Sequence, residues 1–182
     1  MNAHRIRPAT IDDLPALAAA NIACWRETYG DLLPAEFMRG LESDPHYDLA
    51  HWRELLQRWR GFLVEAGEES PTAEIAGFVL HGNNPATLPG FDAQIEKLYL
   101  RKSAQGIGLG RALMRAAASD LLAQERQSLA IWVIDRNGPA IGFYRRLGGI
   151  RVGEPQSFAI AGVTLHEIAF GWSDLGAFLA AL

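Results

Sequence analysis

Cysteine is nearly absent from this chain: Cys24 is the one example in 182 residues. That excludes an internal disulfide and any site built from several cysteines. Nothing close to Cys24 in sequence resembles a base that would make its thiol reactive. Long apolar runs are missing too, since none approaches the roughly 18–20 residues of a membrane span. The opening Met1-Asn2-Ala3-His4-Arg5 lacks the apolar core of a signal peptide, so a cytoplasmic protein with no membrane partner is expected. Basic residues are few, with 17 Lys and Arg against 21 Asp and Glu and a formal charge of -4. No basic block is present to displace counterions, and nucleic acid is not an expected partner. Arg53, Arg58 and Arg60 are interleaved with Trp52, Leu55, Leu56 and Trp59, as on the solvated side of an amphipathic helix. Asp44, His46, Asp48 and His51 lack the regular spacing of metal ligands, and no metal is expected. Repeats, linkers and low-complexity segments are also lacking. With 49% hydrophobic residues, a single domain over 1–182 with a substantial core is expected.

The periodicity gives an order of elements. Arg5–Ala9 reads as a strand. Thr10 followed by Asp13 reads as a helix start, with Leu14, Ala18, Ile22, Trp25 and Tyr29 recurring on one face. Pro34 opens a short helix and 47–60 another. Gly61–Ala66 and Glu74–His81 read as a hairpin, and Gln94–Arg101 as a further strand. A helix over 111–124, a strand over 128–134 and a helix opened by Asn137-Gly138-Pro139 follow. Two strands, 151–160 and 163–172, meet at Ala161-Gly162. The tail from Asp174 reads as a short helix or a fraying end. A mixed sheet with helices on both faces accommodates this order.

The stretch Gln105-Gly106-Ile107-Gly108-Leu109-Gly110-Arg111 stands where a strand hands over to a helix. Glycines at alternate positions leave backbone N–H groups uncovered beside the positive end of a helix dipole, a socket for phosphate. A nicotinamide fingerprint fails, because the third glycine of G-x-G-x-x-G would fall on Arg111. A P-loop fails for want of Gly-Lys-Ser/Thr. A tight turn serving geometry alone is the other reading. A second constellation, Asn137-x-x-Ala140-Ile141-x-Phe143-Tyr144-x-x-Leu147-Gly148, follows the next strand. Two helical turns separate Asn137 from Tyr144, so both can point the same way. Taken alone, Asn137 reads equally as a helix cap and Tyr144 as a half-buried ring.

Together these two elements resemble the GNAT acyltransferases, which carry an acetyl group from acetyl-CoA to an amine. The first matches that family's Gln/Arg-x-x-Gly-x-Gly/Ala signature as Gln105-x-x-Gly108-x-Gly110; the second matches its Asn-x-x-Ala-x-x-Phe-Tyr element. Trp25-Arg26-Glu27-Thr28-Tyr29-Gly30, Leu33-Pro34 and Phe170-Gly171-Trp172 look like one bacterial branch. The resemblance implies an α/β fold with a mixed, mostly antiparallel sheet of about seven strands. It implies acetyl-CoA as cosubstrate, a small-molecule or peptide amine as acceptor, and direct attack in a ternary complex. The backbone of Leu98, Tyr99 and Leu100 would line the pantetheine arm, with the Leu98 amide donating to the thioester oxygen. The diphosphate would rest on Gln105, Gly106, Ile107, Gly108, Leu109, Gly110 and Arg111, with Asn137 on the same cleft. Tyr144 would protonate the departing thiolate. Where the family often has a glutamate the chain has Gln94, so Glu96, two residues on, is the candidate base. The other reading of Glu96 is a surface carboxylate paired with Lys97 or Arg101. A second family position for a base is occupied by Trp132. Trp25, Tyr29 and Asp31 are candidates for the acceptor site, with plain core packing as the alternative for the two rings. The missing carboxylate at Gln94 leaves a second function open, a sensor that binds CoA without turnover. The last two strands and the apolar tail (Phe178, Leu179, Leu182) offer a surface for a homodimer.

Overall fold

Apolar residues switch between a period of two and a helical period along the chain, and the elements follow that switching. The computed structural model describes residues 4–44, 48–67, 74–85 and 88–182. In chain order the elements are β1 (His4–Pro8), α1 (Leu14–Tyr29), α2 (Ala35–Arg39), α3 (Leu49–Arg58), β2 (Arg60–Ala66), β3 (Glu74–Asn83), β4 (Ala93–Leu100), α4 (Leu109–Ala123), β5 (Leu129–Ile134), α5 (Gly138–Arg146), β6 (Ile150–Ile160), β7 (Val163–Trp172) and α6 (Leu175–Ala181). The strands form a seven-stranded sheet in the order β1-β2-β3-β4-β5-β7-β6. Two compact units make up the chain, Met1–Leu80 with Lys97–Met114 and His81–Glu96 with Arg115–Leu182.

In the first unit β1 runs antiparallel to β2, from His4 opposite Ala66 to Pro8 opposite Phe62. Thr10 and Asp13 do form the expected start signal: the Thr10 amide donates to Asp13 Oδ2 at 2.7 Å. The turn they close is a 3-10 turn over Ile11–Asp13, and α1 begins only at Leu14. Arg7 bonds Asp13 and Glu65 at 2.7 Å each, tying that turn to the strand pair. The core gathers Leu14, Leu17 and Ala18 of α1, Trp52 of α3, Trp59, Leu63 of β2 and Phe78 of β3. Trp52 and Phe78 meet edge to face, centroids 5.6 Å apart. Arg53, Arg58 and Arg60 are exposed, as an amphipathic helix requires. The expected helix start at Tyr47 and the side chain of His46 lie outside the described residues; Asp48 caps α3 through the His51 amide at 2.8 Å.

In the second unit β4 and β5 run parallel. Parallel neighbours have no shared turn to fix their offset, and Asp92 supplies one. Its carboxylate accepts from the amides of Gln127 and Ser128 at 2.9 Å each, and from the Ser128 hydroxyl at 2.9 Å. β7 lies antiparallel to β5 and to β6. The β6–β7 turn holds Ala161 and Gly162 at φ 50° and 76°, the left-handed pair that two-residue hairpins favour. Buried His81 bonds Asp120 Oδ2 through Nε2 at 2.8 Å. The tail forms a helix and does not fray: Asp174 caps α6 through the Ala177 amide at 2.8 Å. Phe178 stacks on Trp172 at 4.9 Å and is 5% exposed. Phe178 is therefore spent on this packing and offers nothing to the homodimer surface expected of the tail. No helix among the described residues is long and apolar enough to cross a membrane.

Candidate active site

The glycine corner is clamped before it begins. Arg101, at the end of β4, donates from Nε to Glu27 Oε1 at 2.8 Å and from Nη1 to Glu74 Oε1 at 2.6 Å. Glu27 Oε2 also accepts the Lys102 amide at 2.6 Å. Burial pushes the Glu27 carboxyl up, but the Lys102 amide and Arg101 outweigh it and hold it below the usual range. These bonds correct one expectation: Arg101 pairs with Glu27 and Glu74, and not with Glu96. The Gln105 side chain folds back to donate to the Leu100 carbonyl at 3.0 Å. Gly106 and Gly108 then take φ of +78° and +90°, and a Cβ on either would meet nothing within 4 Å. Left-handed backbone costs a side-chain-bearing residue about 1–2 kcal/mol, so glycine is demanded by conformation and not by crowding. Ile107 between them is 60% exposed. In the α4 entry the Ala112 amide donates to the Gly108 carbonyl at 3.0 Å. The amides of Leu109 and Gly110 come before it, in the turn that has no intrahelical acceptors. Arg111 is exposed on that turn. Bare amides, an open surface and a helix dipole suit a diphosphate.

Leu98, Tyr99 and Leu100 are half-buried along β4. Gly77 of β3 lets the chain come close there, since a Cβ on it would stand 2.7 Å from the Tyr99 carbonyl oxygen. On α1, Trp25 and Tyr29 touch edge to face at 4.9 Å. Tyr29 is buried, Trp25 half-buried, and Asp31 exposed just beyond the helix. Cys24 is buried, and burial followed by the Glu27 charge pushes its thiol up to about 12. It holds no thiolate at neutral pH.

In the second unit the strand register sorts side chains onto two faces. Gln94 of β4 stands opposite Ala130 of β5, and Ala130 opposite Gly171 of β7. Side chains alternate along a strand. Gln94, Glu96, Ala130, Trp132, Ala169 and Glu167 therefore share one face. Leu88, Phe91, Trp132 and Val152 pack together there with Ala130 and Ala169. Ile95, Ile131, Phe170 and Trp172 fall on the opposite face. Tyr144 belongs to that opposite face: its ring lies 6.0 Å from Phe170 and 6.3 Å from Trp172, and it is 4% exposed. Gly149 makes room for this packing, because a Cβ on it would stand 2.8 Å from Trp172 Cζ2. The Trp172 indole N–H donates to the Leu147 carbonyl at 2.9 Å. Asn137 caps α5, accepting the Ala140 amide at 3.2 Å. Its cap reading is thus realised, whatever else the residue does. The β4–β5 ladder covers Ala93–Ile95 against Leu129–Ile131. Beyond those pairs β4 continues through Glu96.

The acetyltransferase (GNAT) family profile matches residues 25–149. The chain belongs to the acetyltransferase (GNAT) family. It is thereby an acyltransferase that takes acetyl-CoA as cosubstrate and an amine as acceptor. An N-acetyltransferase of Bacillus subtilis, YuaI, is 33% identical over 172 residues, 94% of each chain. A GCN5-related N-acetyltransferase from Rhodopseudomonas palustris shares the fold with a TM-score of 0.70 at 20% identity, over 94% of this chain and 96% of that one. PaiA N-acetyltransferase from Thermoplasma acidophilum, solved in complex with coenzyme A, shares it with a TM-score of 0.64 at 16% identity, over 91% and 98%. The GNAT fold of this chain is the mixed, mostly antiparallel seven-stranded sheet described above.

One residue of the carboxylate face escaped sequence reasoning. Glu167 of β7 stands opposite Ile134 of β5 and Gln156 of β6. It is half-buried, and burial first, then the charge of Glu96, raises its carboxyl above the usual range. Gln94 Nε2 donates to Glu96 Oε2 at 3.3 Å, so the amide at the family's glutamate position steadies the carboxylate two residues on. The sequence signal for Glu167 is slight, a lone acid in the apolar run Ile168-Ala169-Phe170.

Proposed function

We propose that the chain transfers the acetyl group of acetyl-CoA to a primary amine by direct attack, with the amine entering on the Glu96 face and the thiol leaving on the Tyr144 face. The observation that carries this reading is the separation of a carboxylate and a phenol onto opposite faces of the same strands. An acyl carbon held at the strand edge between them would meet its nucleophile from one side and shed its leaving group on the other. The Gln105 amide already donates to the Lys102 carbonyl at 3.3 Å, so the donor's diphosphate rests on the amides from Gly106 to Gly110, with Arg111 adding charge and Asn137 near the arm. The pantetheine amides pair with the backbone of Leu98, Tyr99 and Leu100. The Leu98 amide donates to the thioester oxygen, where a fixed donor contributes about 3 kcal/mol as negative charge grows. Tyr144, a phenol with ordinary pKa about 10, can protonate a thiolate whose acid has pKa about 8.5.

An alkylamine with pKa about 10.4 arrives as ammonium, so a carboxylate on the entry face must take a proton before the nitrogen can attack. Glu96 is the sequence candidate for that face. Trp25, Tyr29 and Asp31 are the acceptor candidates on and just after α1. The family's chemistry favours turnover over bare sensing of CoA. We place the reaction in the cytoplasm and within a single domain over 1–182. Calorimetry with acetyl-CoA and a thiol-release assay with primary amines test the reading. Failure to bind acetyl-CoA would refute it.

A further inference from the structure

Building on that reading, we infer that Glu167 is a second carboxylate of the acceptor site, which together with Glu96 receives the ammonium of an alkyl primary amine that bears no carboxylate beside its nitrogen. Alternation carries the β4–β5 register from Gln94 on to Glu96, and the β5–β7 register reaches Glu167, so the two acids share one sheet face on either side of β5, a face that Trp132 and Ile134 of β5 share as well. Both are half-buried. A carboxylate so placed is costly unless paired, and the groups facing Glu167 in register, Ile134 and Gln156, carry no charge. Their mutual repulsion is visible in the rise of the Glu167 carboxyl, to which burial contributes most. A cation between the two relieves both costs. Leu88, Phe91, Trp132 and Val152 supply an apolar wall on the same face, which suits the methylenes of an alkylamine, and Trp132 can also stack on a cation. An α-amino acid would bring its own carboxylate into this acidic place and be repelled.

The pair also divides the proton work. Glu96, steadied by Gln94, holds the ammonium. Glu167, whose carboxyl is pushed up by burial and then by the charge of Glu96, accepts one from nitrogen. The neutral amine then attacks: the C–N bond forms, the C–S bond breaks, and Tyr144 gives its proton to sulfur. Phenolate recovers a proton from water, and the surplus proton on nitrogen goes to solvent. Glu167 later releases its proton to solvent. The sum is ammonium plus acetyl-CoA giving amide, CoA thiol and one proton.

The test compares n-butylamine with norvaline as acceptors in thiol release, for the wild type, Glu167→Gln, Glu167→Asp and Glu96→Gln. The expected wild type prefers n-butylamine at least tenfold in kcat/KM. Glu167→Gln should lower kcat/KM for n-butylamine at least tenfold and narrow the preference to within about threefold. Its KM for acetyl-CoA should be unchanged and its Tm unchanged or higher. Glu167→Asp should retain the preference, and Glu96→Gln should lose it. A wild-type preference for norvaline, turnover of neither amine by protein that binds acetyl-CoA, or an unaltered Glu167→Gln would overturn this inference and leave the donor reading standing. Absence of acetyl-CoA binding would strike the donor reading instead, and with it this one.

Discussion

Replacing Gly108 by alanine separates two jobs that this glycine does at the corner. The first is conformational. At φ +90° an alanine pays about 1–2 kcal/mol of backbone strain. In a protein of this size 1 kcal/mol corresponds to about 2–4 °C in Tm, so a fall of about 2–8 °C is expected. Open space around the new methyl adds no clash within the protein. The second job is to leave the backbone bare. A methyl at Gly108 would cover amides reaching for diphosphate oxygens, and a hydrogen bond to a charged group contributes about 1.5–3 kcal/mol. The Kd for acetyl-CoA should therefore rise about 10- to 150-fold, with 1.4 kcal/mol per decade. Gly162→Ala is the control: φ is +76°, the surroundings are equally open, and the residue sits in the β6–β7 turn. It should lose similar Tm and no acetyl-CoA affinity. Calorimetry and thermal scans of both variants decide the matter. A Gly108→Ala protein with lowered Tm and unaltered Kd would refute the phosphate role of the corner.

Other substitutions test the remaining parts. Tyr144→Phe keeps the ring packed on Phe170 and Trp172 and should lower kcat about tenfold or more, with acetyl-CoA affinity unchanged; an unaltered kcat rejects the general-acid role. Gly149→Ala forces a methyl against Trp172 and the Tyr144 carbonyl and should cost about 1–3 kcal/mol in overpacking, read as a lowered denaturation midpoint. Glu27 has a folded-state pKa held below its unfolded value, so its contribution is present above the unfolded pKa and lost as pH falls through the folded one. Wild type should thus lose stability on acidification faster than Glu27→Gln, and parallel pH–stability curves would contradict the clamp.

Much of this was legible because it is written locally. The alternation of periods located the strands and helices from β1 to β7 to within a few residues, with the tail left open between helix and fraying end, and the Thr10–Asp13 and Asn137 signals act over a few residues of chain. The glycine corner was legible for the same reason: left-handed backbone favours glycine, and Gly106 and Gly108 both adopt it. What stayed hidden is what the sheet order brings together. Arg101 finds Glu27, far back on α1, in place of nearby Glu96. Glu167 joins Glu96 only because β7 lies beside β5 and β5 beside β4. No periodicity within β7 announces that neighbour. The room for Trp172 over Gly149 likewise depends on two strands and a helix meeting.

Asp92 has a reach beyond the loops it joins. By gripping Gln127 and Ser128 it ties the start of β4 to the start of β5, just ahead of the ladder from Ala93 to Ile95. β7 takes its own offset from β5. The gap between the two acids is consequently gauged at the far end of the strands, by a residue outside the chemistry. On the proposed role of the two acids, sliding one strand would retune acceptor preference with every reacting side chain left as it is.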